Sequence, residues 1–370
     1  MRAAAAKILL PVGLIVVPVL AYVNIIWIAW ADNSFALDFH NEIYPEAQEL
    51  LKGQNPFPAA TADLSHGSNH IWPPLVGYIA APLTLLSPSA ADVVIVLIGI
   101  VCFGAALWIV GVRDWRVYGA ASLWASVIGD TRTAHLTLIL CLLVALVWRT
   151  RTKTAIPGLI LGLAIALKLF LWPLALWLAS LRRWREAAIA AVTAAASLLL
   201  LLPFIGILEY ARLLRRLGET FDQGSYSPYG LLVQAGVQST AAHIVALSFA
   251  LAVAALAWRR RSFSLFVATA LLLSPIVWLD YFAVTAIPLA VVRPTISWVW
   301  LLPILTFGLP GAGAEIGVTT HTLRVLGVFA VVVWYTERRE RSPARPSLDP
   351  GVSALPRPSE GQQRAVTDVA

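Results

Sequence analysis

Apolar runs follow one another along almost the whole chain, and that succession leaves few folds open. The first, Ile8–Trp30, is 23 residues long, and about 20 suffice for a helix to cross a hydrocarbon core. Eleven more runs follow at Val93–Val112, Val117–Ile128, Leu136–Trp148, Ile156–Leu167, Leu169–Leu181, Ala187–Leu208, Ala241–Trp258, Phe263–Leu279, Tyr281–Val292, Ile296–Leu309 and Gly317–Tyr335. Only 13% of the residues are charged, half of the roughly 25% that a soluble domain carries. Lipid is the simplest replacement for the missing polar surface. The expected fold is an all-α polytopic membrane protein of twelve spans over residues 1–336, with no separate soluble domain. A disordered, water-exposed tail is expected at 337–370, where Pro, Arg, Ser and Glu dominate.

The net charge of +7 does not indicate nucleic acid, because the basic residues sit in short clusters between apolar runs. Such clusters encode topology. Arg113/Arg116, Arg149/Arg151/Lys153, Arg182/Arg183/Arg185 and Arg259/Arg260/Arg261 all face the cytoplasm if the run Trp72–Leu86 does not cross. With twelve spans, 20 of the 27 lysines and arginines then lie on the cytoplasmic side and 7 elsewhere. Pro73, Pro74 and Pro82 suit an interrupted interfacial segment better than a span. Both termini are expected in the cytoplasm. Ala29-Trp30-Ala31 mimics a signal-peptidase site, but the run before it is too long for a signal peptide, and an uncleaved first helix is expected.

Val117–Ile128, Ile156–Leu167 and Tyr281–Val292 have 12 residues each, too few to span alone. Each meets a polar junction on the outer side: Gly129-Asp130-Thr131-Arg132-Thr133-Ala134-His135, Lys168, and Asp280. Charges at membrane depth are tolerated only where they face protein or a water-filled cavity. One such junction could be a plain interfacial turn, and a lysine can snorkel. Three on one side point to a polar cavity recessed into the bilayer.

The first outer loop, about residues 31–91, opens with Asp38 a few residues after the first helix. Phe39, Ile43, Ala47 and Leu50 or Leu51 form one apolar stripe, with Glu42, Glu46 and Glu49 on the other face. A short amphipathic helix lying on the membrane is expected, and an N-cap is the bland role for Asp38. His40, His66 and His70 share this loop, but without an HExxH frame they carry no metal expectation. Cys102 and Cys141 lie within apolar runs, so no disulfide framework is indicated. No Ser-His-Asp elbow, P-loop or Rossmann fingerprint occurs, and no cofactor is expected. Any chemistry must use Asp, Lys, Arg and His in the outer cavity.

These residues carry a resemblance. A single Asp after the first span, then Tyr44, Ala47, Leu50-Leu51-x-Gly53-x-Asn55-Pro56, resembles glycosyltransferase family 87, polytopic enzymes of the GT-C class that include polyprenyl-phosphate-mannose-dependent α-mannosyltransferases. Trp72-Pro73-Pro74-Leu75 is similar to their (Tyr/Trp)-Pro-Pro-Leu segment. Gly158 to Lys168 resembles their Gly-rich helix ending in Lys, and Ser274-Pro275-Ile276-Val277-Trp278 their Ser-Pro-x-x-Trp motif. The likeness runs from residue 1 to about 335. The chain departs from the pattern in two places. Asp280 stands where the family commonly has His, and Gly129-Asp130-Thr131-Arg132 replaces a Gly-Gln-x-Asn.

The resemblance implies transfer of a sugar from a polyprenyl-phosphate donor to a lipid or glycan acceptor, with inversion, on the extracytoplasmic side of the cell membrane. It implies Asp38 as general base and Lys168, Arg132 and His135 as ligands of the donor phosphate. Asp280, Tyr281, His40, Glu42, Arg212 and Arg216 become candidate substrate-binding residues. Arg212, Arg215 and Arg216 lie in an outer segment where positive charge is disfavoured; they suit an anionic lipid headgroup, of the donor or of a phosphoinositide-like acceptor, or, equally, a solvated amphipathic helix. Mannose and arabinofuranose donors both remain open. The alternatives are a transporter or flippase, which would place its polar groups near the midplane at a repeat interface, and an inactive family member that only binds lipid-linked sugar.

Overall fold

The computed structural model describes residues 2–59, 61–64, 71–307 and 318–342. Within them every regular element is helical. In chain order these are α1 (Arg2–Ala31), α2 (Tyr44–Leu51), α3 (Pro74–Ala80), α4 (Pro88–Ile109), α5 (Trp115–Ser122), α6 (Ala125–Thr133), α7 (Thr137–Thr150), α8 (Ile156–Leu167), α9 (Pro173–Ser180), α10 (Trp184–Leu198), α11 (Ile207–Thr220), α12 (Pro228–Gln234), α13 (Ser239–Arg260), α14 (Phe263–Leu272), α15 (Ala286–Val292), α16 (Trp298–Leu301) and α17 (Thr319–Glu340).

Among the described residues, four helices are long and apolar enough to cross a membrane: Gly13–Ala31 within α1, α4, Trp184–Leu201 and α13. The pair α6–α7, bent by 119°, makes a fifth if it counts as one broken span. Several of the expected runs are interrupted. Val117–Ile128 is split at Leu123-Trp124 between α5 and α6, and Leu169–Leu181 begins with a 3-10 turn before α9. The run Tyr281–Val292 is wound mostly as a 3-10 segment, Leu279–Thr285, before α15 begins. The long helices keep large apolar side chains on the surface, among them Val23, Val101, Val192 and Leu251. Lipid is the solvent that such a surface needs.

The interior is one large apolar cluster in which Trp124, Trp177, Trp300 and Phe266 are fully buried. Two glycines set the contact between α8 and α10. A side chain on Gly158 would strike the Glu186 carbonyl of α10, and one on Gly162 would strike the Thr193 side chain. Close backbone approach through small residues four apart is a common packing device between membrane helices. Here it seats α8 on α10 and so fixes where Lys168, just after α8, emerges. A second, smaller cluster of Phe57, Leu64, Ile71, Leu201, Ile205, Tyr210 and Leu213 binds α11 to the first long loop.

Three expectations are corrected. The polar tail does not start at 337: α17 runs on to Glu340, and the buried Glu337 pairs with Arg260 and Arg341 at 2.7 Å each, which holds the helix end to α13. Residues 343–370, the rest of the expected tail, lie outside the described residues, as do His66 and His70. Asp38 is not an N-cap; it has helical backbone angles and makes no side-chain capping bond. The third concerns the expected polar stripe of Glu42, Glu46 and Glu49. Phe39, Ile43, Ala47 and Leu50 are buried as the stripe predicts, but Glu46 is 0% exposed. The cause is α3, which packs over that face and brings Gly77 against the Glu46 carboxylate. Just before α2, Phe39–Ile43 forms a π-helical turn.

Candidate active site

The site grows from three breaks in the helices. At the α6–α7 break, Ala134 and Leu136 both adopt left-handed backbone, with φ of 54° and 67°. That conformation costs a residue with a side chain on the order of 1 kcal/mol or more. Asp130 stabilises the break: its carboxylate accepts the N–H of Thr137 at 2.7 Å and of Leu138 at 3.3 Å, satisfying the start of α7. His135, between the two strained residues, is thereby pushed into the interior.

At the α8–α9 break, Lys168 leaves the helix with extended backbone and is 6% exposed. Its ammonium donates to the His135 carbonyl at 2.9 Å and lies 4.1 Å from the centre of the Tyr281 ring and 5.0 Å from that of Trp72. At the third break, the 3-10 segment presents Asp280. Its Oδ2 accepts the Thr137 hydroxyl at 2.6 Å, lies 3.0 Å from His135 Nδ1 and 3.9 Å from Lys168 Nζ. Tyr281 stacks on Phe170 at 4.7 Å, which holds the ring beneath the ammonium.

Asp38 reaches the same cluster from the first loop. Its Oδ2 lies 3.5 Å from His135 Nδ1. The backbone N–H of Ala36 donates to the Arg132 carbonyl at 2.6 Å, anchoring the loop to the α6–α7 turn. One imidazole nitrogen therefore faces two carboxylates, and Asp280 is the nearer. The two differ in setting: the Asp38 side chain is 23% exposed and that of Asp280 7%. Asp280 is tied down by two donors on one oxygen, Thr137 and His135, with the Lys168 charge 3.9 Å away, whereas Asp38 stands at the mouth.

Glu42, on the wide turn that carries Asp38, is the fourth carboxylate in reach of Lys168, with Asp130. It accepts the Trp72 indole N–H at 2.7 Å, and Trp72 in turn meets His135 edge to face at 4.9 Å. Burial pushes the Glu42 carboxyl up to about 7, against the lowering effects of the Trp72 hydrogen bond and the Lys168 charge. Glu42 and Trp72 together form one wall of the site.

Sequence reasoning placed Asp38, His135, Lys168, Asp280, Tyr281 and Glu42 at one site, and the structure brings them together. His40, Arg212 and Arg216 do not join. His40 lies on the other side of the π-turn, where its Nδ1 meets Asp92 Oδ2 of α4 at 2.7 Å. Arg212 and Arg216 are on α11, beyond the second apolar cluster. Arg132 contributes its carbonyl to the loop anchor described above. Trp72, Thr137 and Asp130 were missed as contributors, although Trp72 lies in a quoted motif and Thr137 only two residues beyond His135.

Residues 70–279, more than half of the chain, match the model of glycosyltransferase family 87. The chain belongs to that family. The matched stretch contains Trp72, Asp130, His135 and Lys168 and ends just before Asp280, while Asp38 and Glu42 precede it. No curated protein and no solved structure matches the chain significantly. Membership makes the protein a membrane glycosyltransferase, and the cluster of Asp38, His135, Lys168 and Asp280 its candidate active site. The family's usual imidazole after the Ser-Pro-x-x-Trp segment is absent here, yet an imidazole does stand beside Asp280. It comes from His135, on a different helix break.

Proposed function

We propose that this glycosyltransferase moves a sugar, mannose in the first instance, from a polyprenyl-phosphate carrier to a lipid or glycan acceptor, with inversion. The single observation that carries the reading is the pairing of one mouth-side carboxylate, Asp38, with a buried ammonium, Lys168, across His135. A phosphate leaving group needs a cation and little protonation, so one carboxylate is enough, in contrast to the two of a glycosidase. Asp38 accepts the proton of the acceptor hydroxyl. The acceptor oxygen forms its bond to the anomeric carbon as the bond from that carbon to the phosphate oxygen breaks. The electron pair leaves with the polyprenyl phosphate, whose growing charge Lys168 and Arg132 stabilise. Asp280, bound by His135, Thr137 and Lys168, keeps the imidazole and the ammonium in place.

In the same reading the chain is a GT-C enzyme of the cell membrane that crosses twelve times, with both termini in the cytoplasm and the site on the extracytoplasmic side. The 20-to-7 division of Lys and Arg supports that topology. A carrier lipid can then lie in the bilayer beside the helices while its phosphate reaches the helix breaks. The test is transfer in native membranes with a panel of polyprenyl-phospho-sugars. Turnover of the mannosyl donor by the wild type is expected. Turnover of none of the panel would refute the donor class, and turnover of the arabinofuranosyl donor alone would refute mannose.

A further inference from the structure

The helix α11 has a polar side that the reaction does not use. Tyr210 and Leu213 face inward to the second apolar cluster, Tyr210 meeting Phe57 edge to face at 5.6 Å. The Tyr210 hydroxyl donates to the Ile71 carbonyl at 3.2 Å, next to Trp72 in the site wall. This ties α11 to the segment that carries Trp72.

Beside that cluster lies a cavity of about 230 Å³ lined by Pro58, Ile205, Leu213, Arg212, Arg215, Arg216 and the carboxylate-bearing Glu209. Apolar side chains line it together with three arginines and one carboxylate. Arg215 reaches Glu219 only at 3.7 Å, both side chains well exposed, a pair worth little. Arg216 is braced by the Ala62 carbonyl at 2.7 Å. Immediately before the arginines, Leu199, Leu202, Ile207 and Leu208 expose large apolar side chains, Leu208 to 76%. Exposed apolar residues followed by a cationic cavity are the pattern of a helix lying at a membrane interface.

We propose that this cavity binds the phosphate-bearing headgroup of an anionic membrane phospholipid, whose chains run along Leu199, Leu202 and Leu208. Guanidinium groups match a phosphate geometrically, and the volume suits a headgroup rather than a whole ligand, for which roughly 300–1,000 Å³ is typical. The lipid would seat α11 and, through Tyr210 and Ile71, the Trp72 wall. This site is separate from the reaction centre and does not depend on the transfer reaction.

The test uses the purified full chain in neutral detergent, titrated with short-chain phosphatidylglycerol and read by native mass spectrometry. Wild type is expected to bind it well above phosphatidylcholine. Near a charged surface each arginine contributes roughly fivefold in affinity. The triple substitution R212Q/R215Q/R216Q should thus lose on the order of a hundredfold, and the triple Arg→Lys variant should keep most of the binding. Should the triple variant fold poorly, R212Q alone, at an exposed position, should lose about fivefold. Equal binding of phosphatidylcholine, or retention by the triple Gln variant, would overturn the proposal. So would inorganic phosphate binding as tightly as the lipid, or displacement by a polyprenyl phosphate, which would give the cavity to a soluble anion or to the donor. Asp38→Asn should bind phosphatidylglycerol like the wild type, so failure here and failure of the transfer reading are separable.

Discussion

Asp38 and Asp280 face the same imidazole nitrogen, and their substitutions by Asn should fail in opposite ways. Asp280 Oδ2 holds Thr137, His135 and Lys168 within 3.9 Å, inside a nearly closed site. At that separation, with an effective dielectric of about 20, its attraction to the ammonium is about 4 kcal/mol. Asp280→Asn keeps an acceptor for Thr137 but removes the charge, leaving Lys168 buried with less compensation, so a net loss on the order of 3 kcal/mol is expected. Such a loss lowers the thermal midpoint by roughly 4 °C. Asp38 has the more exposed side chain and the longer approach to His135, 3.5 Å, so Asp38→Asn should leave the midpoint within a degree or two. Its cost falls on the reaction: losing a general base removes roughly 10²–10⁴-fold of rate. The assay pairs thermal unfolding of the purified chain with initial transfer rates under saturating donor. The reasoning is refuted if Asp38→Asn transfers within a few-fold of wild type. It is equally refuted if Asp280→Asn keeps the wild-type midpoint.

Two further outcomes follow from the other buried carboxyls. The Glu42 carboxyl ionises near pH 7, and as pH rises through that value the charged form binds Trp72 more strongly and faces Lys168. The transfer rate of the wild type should climb across roughly pH 6 to 8, while Glu42→Gln, which still accepts the Trp72 bond but cannot titrate, should give a flatter profile; superimposable profiles would exclude a role for this ionisation. Glu46 has neither carboxylate oxygen hydrogen-bonded, and burial holds its carboxyl well above 4.5. A folded state that keeps its proton more tightly than the unfolded state loses stability as pH rises above the unfolded value. Glu46→Gln should therefore exceed the wild type at pH 7 by on the order of 1 kcal/mol or more, with the gap closing toward pH 4.5 in thermal melts; a gap independent of pH would show that the charge is not the cause.

Much of the site was legible because its charges interrupt apolar runs. Lys168 and Asp280 sit at the ends of runs too short to cross a membrane, and His135 in the polar stretch between two others, so lipid solvation alone marks them out. Asp38 was marked by its place after the first span. What the pattern could not reveal was winding. The π-turn at Phe39–Ile43 sends His40 to Asp92 and Glu42 to Trp72, and no periodicity of 3.6 predicts that division. Glu46 was misplaced for a different reason: the helix was read as lying on a membrane with one wet face. In the structure α3 packs over that face, where a side chain on Gly77 would stand 2.9 Å from Glu46 Oε1. Trp72 was visible only as part of a motif, because an aromatic in an apolar stretch does not announce which neighbours it will meet.

The break between α6 and α7 shows how closely the site's shape and its charge depend on each other. Two left-handed residues flank His135, and a strained backbone of this kind persists only where its surroundings over-determine it. The determinants are visible. Asp130 accepts two N–H groups at the start of α7 and its carbonyl accepts the Ala134 N–H at 2.7 Å; Lys168 accounts for the His135 carbonyl. Lys168 thus occupies both roles at once, as the cation of the site and as a structural donor to the strained turn. Removing it would release the turn and move His135 away from Asp38 and Asp280, besides deleting a charge. Effects of substitutions at Asp38, His135, Lys168 and Asp280 should for that reason be far from additive. The combined loss from Lys168→Ala and Asp38→Asn should fall short of the product of the single losses, because the first already misplaces the group that the second disables. Multiplicative losses would instead mean that the four residues act independently and that the strained turn holds its shape without the ammonium.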